Sequence, residues 1–215
     1  KDVFFSAPVK APADIQEAYR LGVRIFSIDS DCELEKVVQW APGASVQIRL
    51  ATDDHASRWP LSRKFGTSES EASRLAERCA QGGLSIDALS FHVGSQAGDA
   101  AAWSAALGSC RRVMEDLSGI GLNVPRINIG GGFPVTYLDE EVPTVEAIGE
   151  VVRDEVGGLP YPVTLACEPG RYLVAEAGDT IASVIGVSER HGERWAFLDV
   201  GAFNGLFEAS GLGRV

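Results

Sequence analysis

Thr164-Leu-Ala-Cys-Glu-Pro-Gly-Arg171 is a short apolar run that stops abruptly in an acid, a turn and a base. Proline removes a backbone donor and glycine frees the backbone, so Pro169-Gly170 does not suit a strand interior. The stretch reads as a buried strand, Val163–Cys167, that presents a carboxylate, Glu168, and a guanidinium, Arg171, at its C-terminal end. Such a strand needs neighbours on both sides, and the chain upstream supplies them.

Five more apolar runs precede it: Val3–Ala7, Val23–Ile28, Val46–Leu50, Ile86–Phe91 and Arg126–Ile129. Amphipathic helical patterns separate them. Ala13–Leu21 carries Ile15, Ala18 and Tyr19. Ser30-Asp-Cys-Glu33 has the form of a capping box ahead of Leu34, Val37 and Val38. Glu69–Gln81 turns Ala72, Leu75, Ala76 and Cys79 inward. Ala100–Ser118 repeats Trp103, Leu107, Cys110, Val113, Met114 and Leu117, and Val145, Ile148, Val152 and Val156 mark a further helix. Six alternations of short strand and helix call for an α/β fold with a parallel sheet and helices outside it. Residues 51–67 form a long polar loop with Trp59 and Phe65, a length at which loops are often functional. After Gly178 the texture changes. Ile181–Val187 and Trp195–Val200 flank a polar turn and read as antiparallel strands. We expect a domain boundary there, dividing the chain into 1–178 and 179–215.

At 215 residues the chain is one domain, or one and part of another. Thirty acidic residues against 19 basic ones give a net charge of −11, without the cationic footprint that a nucleic acid or anionic membrane needs. A small anion held by local donors stays open. Cys32, Cys79, Cys110 and Cys167 suit neither a zinc site nor a disulfide scaffold. Three occupy apolar positions, so we expect reduced core cysteines and a reducing cytoplasm. No run of about 18 apolar residues predicts a membrane helix. The opening Lys1-Asp-Val-Phe-Phe5 has no signal-peptide layout. A new strand pattern is under way when the chain stops at Val215, so a longer protein is expected.

The residues with chemical potential share one location. His92, Gly94 and Ser95 follow one strand, Gly130–Gly132 the next, and Glu168, Gly170 and Arg171 the one after. In a parallel β/α barrel all lie at the C-terminal face, where active sites are built. Gly130-Gly-Gly132 lets backbone N–H groups approach an anion, or is a plain turn. It matches neither the Walker nor the dinucleotide pattern. Arg171 is a two-pronged phosphate ligand or a surface ion pair. Ser95 is a hydroxyl donor or a turn residue. Glu168 needs a partner, either a protonated ring nitrogen or a nearby base. His92 stacks on a flat cofactor, transfers protons, or is a satisfied core histidine. Lys10, after Pro8-Val9, reads as a solvated loop lysine. His55 and His191 receive no role. An anion cradle, a base for phosphate, an acid for a ring nitrogen and a stacking residue together describe a pyridoxal-phosphate site.

At this point the chain resembles the ornithine/diaminopimelate decarboxylase family, whose barrel is of the alanine-racemase type. The matching segments are Phe5-Ser-Ala-Pro-Val-Lys10, Phe26-Ser-Ile-Asp-Ser30, Leu50-Ala-Thr-Asp-Asp54, Lys64-Phe-Gly66, Ser90-Phe-His-Val-Gly-Ser95, Ile129-Gly-Gly-Gly-Phe-Pro134 and Glu168-Pro-Gly-Arg171. The fifth and sixth resemble the ornithine branch more than the diaminopimelate branch. Residues Phe197 to Glu208 resemble the opening of the C-terminal β-domain in bacterial ornithine or lysine decarboxylases.

The resemblance implies a (β/α)8 TIM-type barrel with about six of eight strands present, followed by the start of a β-sandwich domain. It implies pyridoxal 5'-phosphate as cofactor, with His92 stacked on the ring and Glu168 holding the ring nitrogen protonated, both catalytic. Ser95, Gly130, Gly131, Gly132, Gly170 and Arg171 then line the phosphate, and Glu208 meets the distal amine of the substrate. The implied activity is decarboxylation of ornithine or lysine to a diamine in polyamine biosynthesis, by a cytoplasmic homodimer with shared sites. The family's cofactor-bearing lysine belongs to a segment upstream of Phe4, and Lys10 does not occupy its position. Late cysteine and tyrosine segments belong beyond Val215, and Pro60 stands where some members carry an arginine. Two alternatives remain: a diaminopimelate or carboxynorspermidine decarboxylase, and a non-catalytic regulator of the same fold.

Overall fold

The computed structural model describes residues 3–137 and 140–206. The chain runs β1 (Phe4–Phe5), α1 (Pro12–Arg20), β2 (Ile25–Ile28), α2 (Asp31–Trp40), β3 (Ser45–Arg49), β4 (Ser57–Trp59), α3 (Glu69–Gln81), β5 (Ser85–Ser90), β6 (Ser95–Ala97) and α4 (Ala101–Gly119). It continues through β7 (Arg126–Asn128), α5 (Val145–Gly157), β8 (Thr164–Ala166), α6 (Gly170–Val174), β9 (Val184–Arg190) and β10 (Glu193–Leu198). The six expected strands form one sheet in the order β1-β2-β3-β5-β7-β8, with every pair parallel. It is a curled, half-barrel sheet. Ser6, just after one edge strand, donates to Glu168 Oε1, just after the other, at 2.8 Å, and the Arg126 guanidinium on β7 lies 5.0 Å from the Phe4 ring on β1.

Side chains alternate across these strands, and the register sorts them into two faces. Phe26, Ile28, Val46, Ile48, Leu89 and Ile127 point toward the helices and join one buried core. That core takes the inward stripes of α3 and α4, including Leu75, Trp103, Leu107 and Met114. The opposite face carries Ser27, Gln47, Arg49, Ser90 and Asn128, so the inside of the curl is polar.

Several expectations change. Lys10 is not solvated: its side chain is fully buried, 3.2 Å from Glu33 Oε2, and its ammonium donates to the carbonyls of Ala7 (3.0 Å), Pro8 and Ser27. Glu33 is diverted to Lys10 and Lys36, so the anticipated capping box does not form and Ser30 makes no side-chain cap. The segment 51–67 is not all loop. Its β4 pairs antiparallel with β6, and buried Asp54 accepts from the Ser62 N–H at 2.7 Å and from the Leu61 N–H, stapling the segment to itself. Burial works against the Asp54 charge, yet the Ser62 and Leu61 donors outweigh it and hold the carboxyl below its usual range. β8 is not buried: it is an edge strand, with Leu165 41% exposed. Cys167 beyond it is exposed, as is Cys32, so only Cys79 and Cys110 are core thiols, each pushed up to about 12 by burial.

Beyond α6, β9 and β10 form a separate antiparallel pair around His191-Gly192, whose φ values of 55° and 81° suit a tight hairpin turn. Among the described residues no helix is long and apolar enough to cross a membrane.

Candidate functional site

Three consecutive strands end at one rim. β5 delivers His92 and, a few residues on, Ser95. β7 delivers Gly130–Gly132, and β8 delivers Glu168, Gly170 and Arg171. Glu208, expected to meet a substrate amine, lies outside the described residues.

The backbone fastens these ends to one another. Phe91 N donates to Asn128 O (3.1 Å), Ile129 N to Ala166 O (2.9 Å) and Glu168 N to Gly130 O (2.8 Å), so the ladder continues past the strands into the loops. Gly130 and Gly132 have φ of +67° and +94°. A Cβ on Gly130 would lie 2.0 Å from the Phe91 carbonyl oxygen, and one on Gly132 would lie 2.3 Å from that of Gly94. A Cβ on Gly131 would sit 2.6 Å from the Glu168 carbonyl oxygen and 3.0 Å from His92 Nε2. The glycines thus let three loops meet backbone to backbone. The N–H groups of Gly131 and Gly132 find no acceptor among the described residues. Two adjacent N–H groups without such an acceptor can cradle an anion.

Arg171 stands beside that cradle. Its Nε donates to Ser95 Oγ at 3.3 Å and its Nη1 to Tyr137 Oη at 3.0 Å. Ser95 opens β6 rather than sitting in a turn, which fixes its hydroxyl near the guanidinium. Gly170 begins α6, and a Cβ there would meet nothing within 4 Å. Its lack of a side chain leaves open space beside the rim.

His92 accepts from the Gly94 N–H through Nδ1 at 3.0 Å, which places the ring proton on Nε2. Burial, with the Arg49 charge adding to it, pushes the imidazole down to about 4 against the opposing pull of Glu168 and Asp54. At neutral pH it is an uncharged flat ring. Glu168 is exposed, and its Oε1 accepts from both Ser6 Oγ and Asn128 Nδ2 at 2.8 Å. Among the described residues no base takes it as a close ion-pair partner. Arg49 is depressed by burial, with Asp29 and Glu168 pulling the other way, and its guanidinium lies 5.3 Å from the Phe65 ring.

A small polar cleft opens among Ser6, Arg49, Ser90, His92, Asn128 and Glu168. A wider cavity of about 640 Å³, lined by Pro134, Val135, Thr144, Tyr172 and Leu173 among others, holds none of His92, Glu168 or Arg171. Arg49, Asn128, Ser6 and Tyr137 were not foreseen as site residues. The alternation of polar residues within β3 and β7, Gln47 and Arg49, then Asn128, was the available signal.

A cofactor with a phosphate, a flat ring and a basic ring nitrogen fits this rim: an unpartnered N–H pair and a guanidinium at one side, an uncharged imidazole, and a carboxylate whose Oε2 makes no hydrogen bond among the described residues.

Comparison with known proteins agrees with that fit. Residues 1–175 match the family model described as "Pyridoxal-dependent decarboxylase, pyridoxal binding domain". The lysine/ornithine decarboxylase of Selenomonas ruminantium is 31% identical over 201 residues, covering 94% of this chain and 51% of the relative. Antizyme inhibitor 2 of Xenopus laevis is 34% identical over 191 residues, covering 87% and 41%. Among solved structures, the Vibrio vulnificus lysine/ornithine decarboxylase complexed with putrescine superposes with a TM-score of 0.83 at 34% identity, covering 96% of this chain and 54% of that one. The chain spans about half the length, or less, of the curated relatives it matches.

Proposed function

We propose, given that this chain belongs to the pyridoxal-dependent decarboxylase family, that its rim binds pyridoxal 5'-phosphate and serves decarboxylation of a basic L-amino acid, ornithine or lysine, to a diamine. The observation that carries this is the meeting of His92, the glycine loop, Glu168 and Arg171 at the ends of β5, β7 and β8. When bound, the cofactor supplies a protonated pyridine ring that accepts the electron pair released as carbon dioxide leaves.

The chain's own residues then divide the work. Gly131 and Gly132 offer N–H groups to the phosphate, Arg171 adds its charge, and Ser95 orients that guanidinium by accepting from its Nε at 3.3 Å. Gly130 and Gly170 leave the backbone room to approach. The uncharged His92 offers a face to the ring, and the Gly94 N–H holds the imidazole in one orientation. Glu168 accepts a hydrogen bond from the protonated ring nitrogen and keeps the proton on that nitrogen. Glu208 remains our candidate for the distal amine of the substrate.

We also assign residues 1–178 to the cofactor-binding barrel and 179–215 to the start of a second β-domain, which the separate β9–β10 sheet supports. A cytoplasmic homodimer with shared sites completes the proposal and rests on the family alone.

The test is carbon dioxide release from L-ornithine, L-lysine and meso-diaminopimelate by the full-length protein reconstituted with pyridoxal phosphate. Turnover of ornithine or lysine is expected. Turnover of diaminopimelate alone would reassign the substrate. Cofactor retention on gel filtration without turnover of any of the three would favour a second reading, a non-catalytic regulator, which similarity to an antizyme inhibitor suggests.

A further inference from the structure

We infer that Asn128 is a positioning residue that sets the Glu168 carboxylate and the glycine loop with a single side chain, leaving Glu168 Oε2 as the oxygen that faces the cofactor. The inference rests on the site proposed above.

Asn128 ends β7 on the polar inner face and is 4% exposed. Its Oδ1 accepts from the Gly130 N–H at 3.0 Å. Its Nδ2 donates to Glu168 Oε1 at 2.8 Å and to Gln47 Oε1 at 3.3 Å. Chemistry fixes which way the amide points. The Gly130 N–H can only donate, so the atom facing it is the oxygen, and the nitrogen is thereby turned to the carboxylate. One planar group therefore ties the ring-nitrogen acid to the first glycine of the phosphate loop.

The amide is held from behind as well. Gln47 accepts from Asn128 and donates to the Ser27 hydroxyl, so hydrogen bonds run from Ser27 on β2 through Gln47 on β3 and Asn128 on β7 to Glu168 after β8. All of Ser27, Gln47 and Asn128 are buried, where an unpaired amide is costly and a paired one is stiff. Glu168 by contrast is exposed. A carboxylate at the surface rotates freely unless something fixes one oxygen. Asn128 and Ser6 both take Oε1, and Oε2 is the oxygen left over.

Neither aspartate nor alanine does the same job. Aspartate would still accept from Gly130 but would set a second carboxylate against Glu168 Oε1, where both cannot stay ionised and one must take up a proton or swing away. Alanine would release both the acid and the loop.

The experiment uses the full-length holoenzyme in wild-type, Asn128→Asp, Asn128→Ser and Asn128→Ala forms, with Ser45→Ala, on the same face of the sheet but outside the cleft, as a control. Three quantities are read: the dissociation constant of pyridoxal phosphate, the 15N shift of pyridine-labelled bound cofactor, and kcat and KM separately. Asn128→Asp should move the 15N resonance toward the unprotonated ring and lower kcat about tenfold or more, with cofactor affinity changed about threefold or less. Asn128→Ser, whose side chain is one bond shorter and so withdraws the amide donor from Glu168, should show the same shift and the same loss of kcat if the aspartate form does not fold. Asn128→Ala should additionally weaken cofactor binding about tenfold. Ser45→Ala should leave the 15N shift in place. A wild-type 15N shift and kcat in both the aspartate and the serine forms would overturn the inference. A wild-type protein that does not bind pyridoxal phosphate would overturn the site reading instead.

Discussion

The glycine loop after β7 and the turn after β8 lie side by side, joined by the Glu168 N to Gly130 O hydrogen bond, yet they are held in opposite ways. The loop is buried and defined by backbone contact, with no room for one more carbon at Gly130, Gly131 or Gly132. The turn is more open and defined by side chains, with Glu168 caught by the Ser6 hydroxyl and the Asn128 amide and Arg171 by the hydroxyls of Ser95 and Tyr137. The difference teaches that one part of the rim is scaffold and the other is presentation. Damage to the first should be felt by the whole fold, and damage to the second by the chemistry alone.

Gly130→Ala should have the largest effect. It combines φ of +67° with a Cβ placed 2.0 Å from the Phe91 oxygen, so the strand ends must part. We expect a loss of about 3 kcal/mol or more in urea unfolding, together with cofactor binding. Stability within about 0.5 kcal/mol of wild type would break the scaffold half of the comparison.

On the presenting side, Glu168→Ala should lower kcat of the full-length enzyme about a hundredfold or more while its unfolding midpoint barely moves. Arg171→Ala should weaken cofactor affinity about tenfold first, with a smaller effect on kcat at saturating cofactor. Equal effects of both variants on affinity and turnover would refute the division between ring nitrogen and phosphate.

The smallest effect concerns His92. Its folded pKa of about 4 lies below the ordinary 6.5, so between those values the unfolded chain binds a proton that the folded one refuses. Its contribution to stability is intact above pH 6.5 and declines as pH falls toward 4. His92→Asn should flatten that part of the urea-midpoint profile. An unchanged slope between pH 6.5 and 5 would show that burial of this ring does not govern it.

Much of this was legible in the chain. All six strands and five of the helices appear where apolar period and turn residues place them, because those signals are local. The three rim segments were readable for the same reason: each is a strand followed at once by residues unsuited to a strand. What escaped was decided at long range. Lys10 is buried because Glu33 reaches it across 23 positions and three carbonyls converge on it, and nothing near Pro8-Val9 announces that. The Asp54 staple converts part of a polar loop into a strand through N–H groups seven and eight residues away. β8 reads as buried from its Thr-Leu-Ala sequence, but burial depends on neighbours, and it is an edge of the described sheet. The polar inner face was visible in principle. Ser27, Gln47, Arg49, Ser90 and Asn128 interrupt their strands at alternate positions, a period-2 signal masked by the short, otherwise apolar runs that contain them.

The hydrogen bond between Ser6 and Glu168 joins positions 162 residues apart. Contacts of such separation form slowly, because the chain entropy of closing the loop is lost before the contact returns anything. The acid of the site therefore belongs to the late stages of folding. Helices and the central strands can be complete while Glu168 still lacks one of its two donors. A nascent or refolding chain would gain its secondary structure first and its proposed grip on a ring nitrogen last, so regained helicity is a poor measure of regained competence.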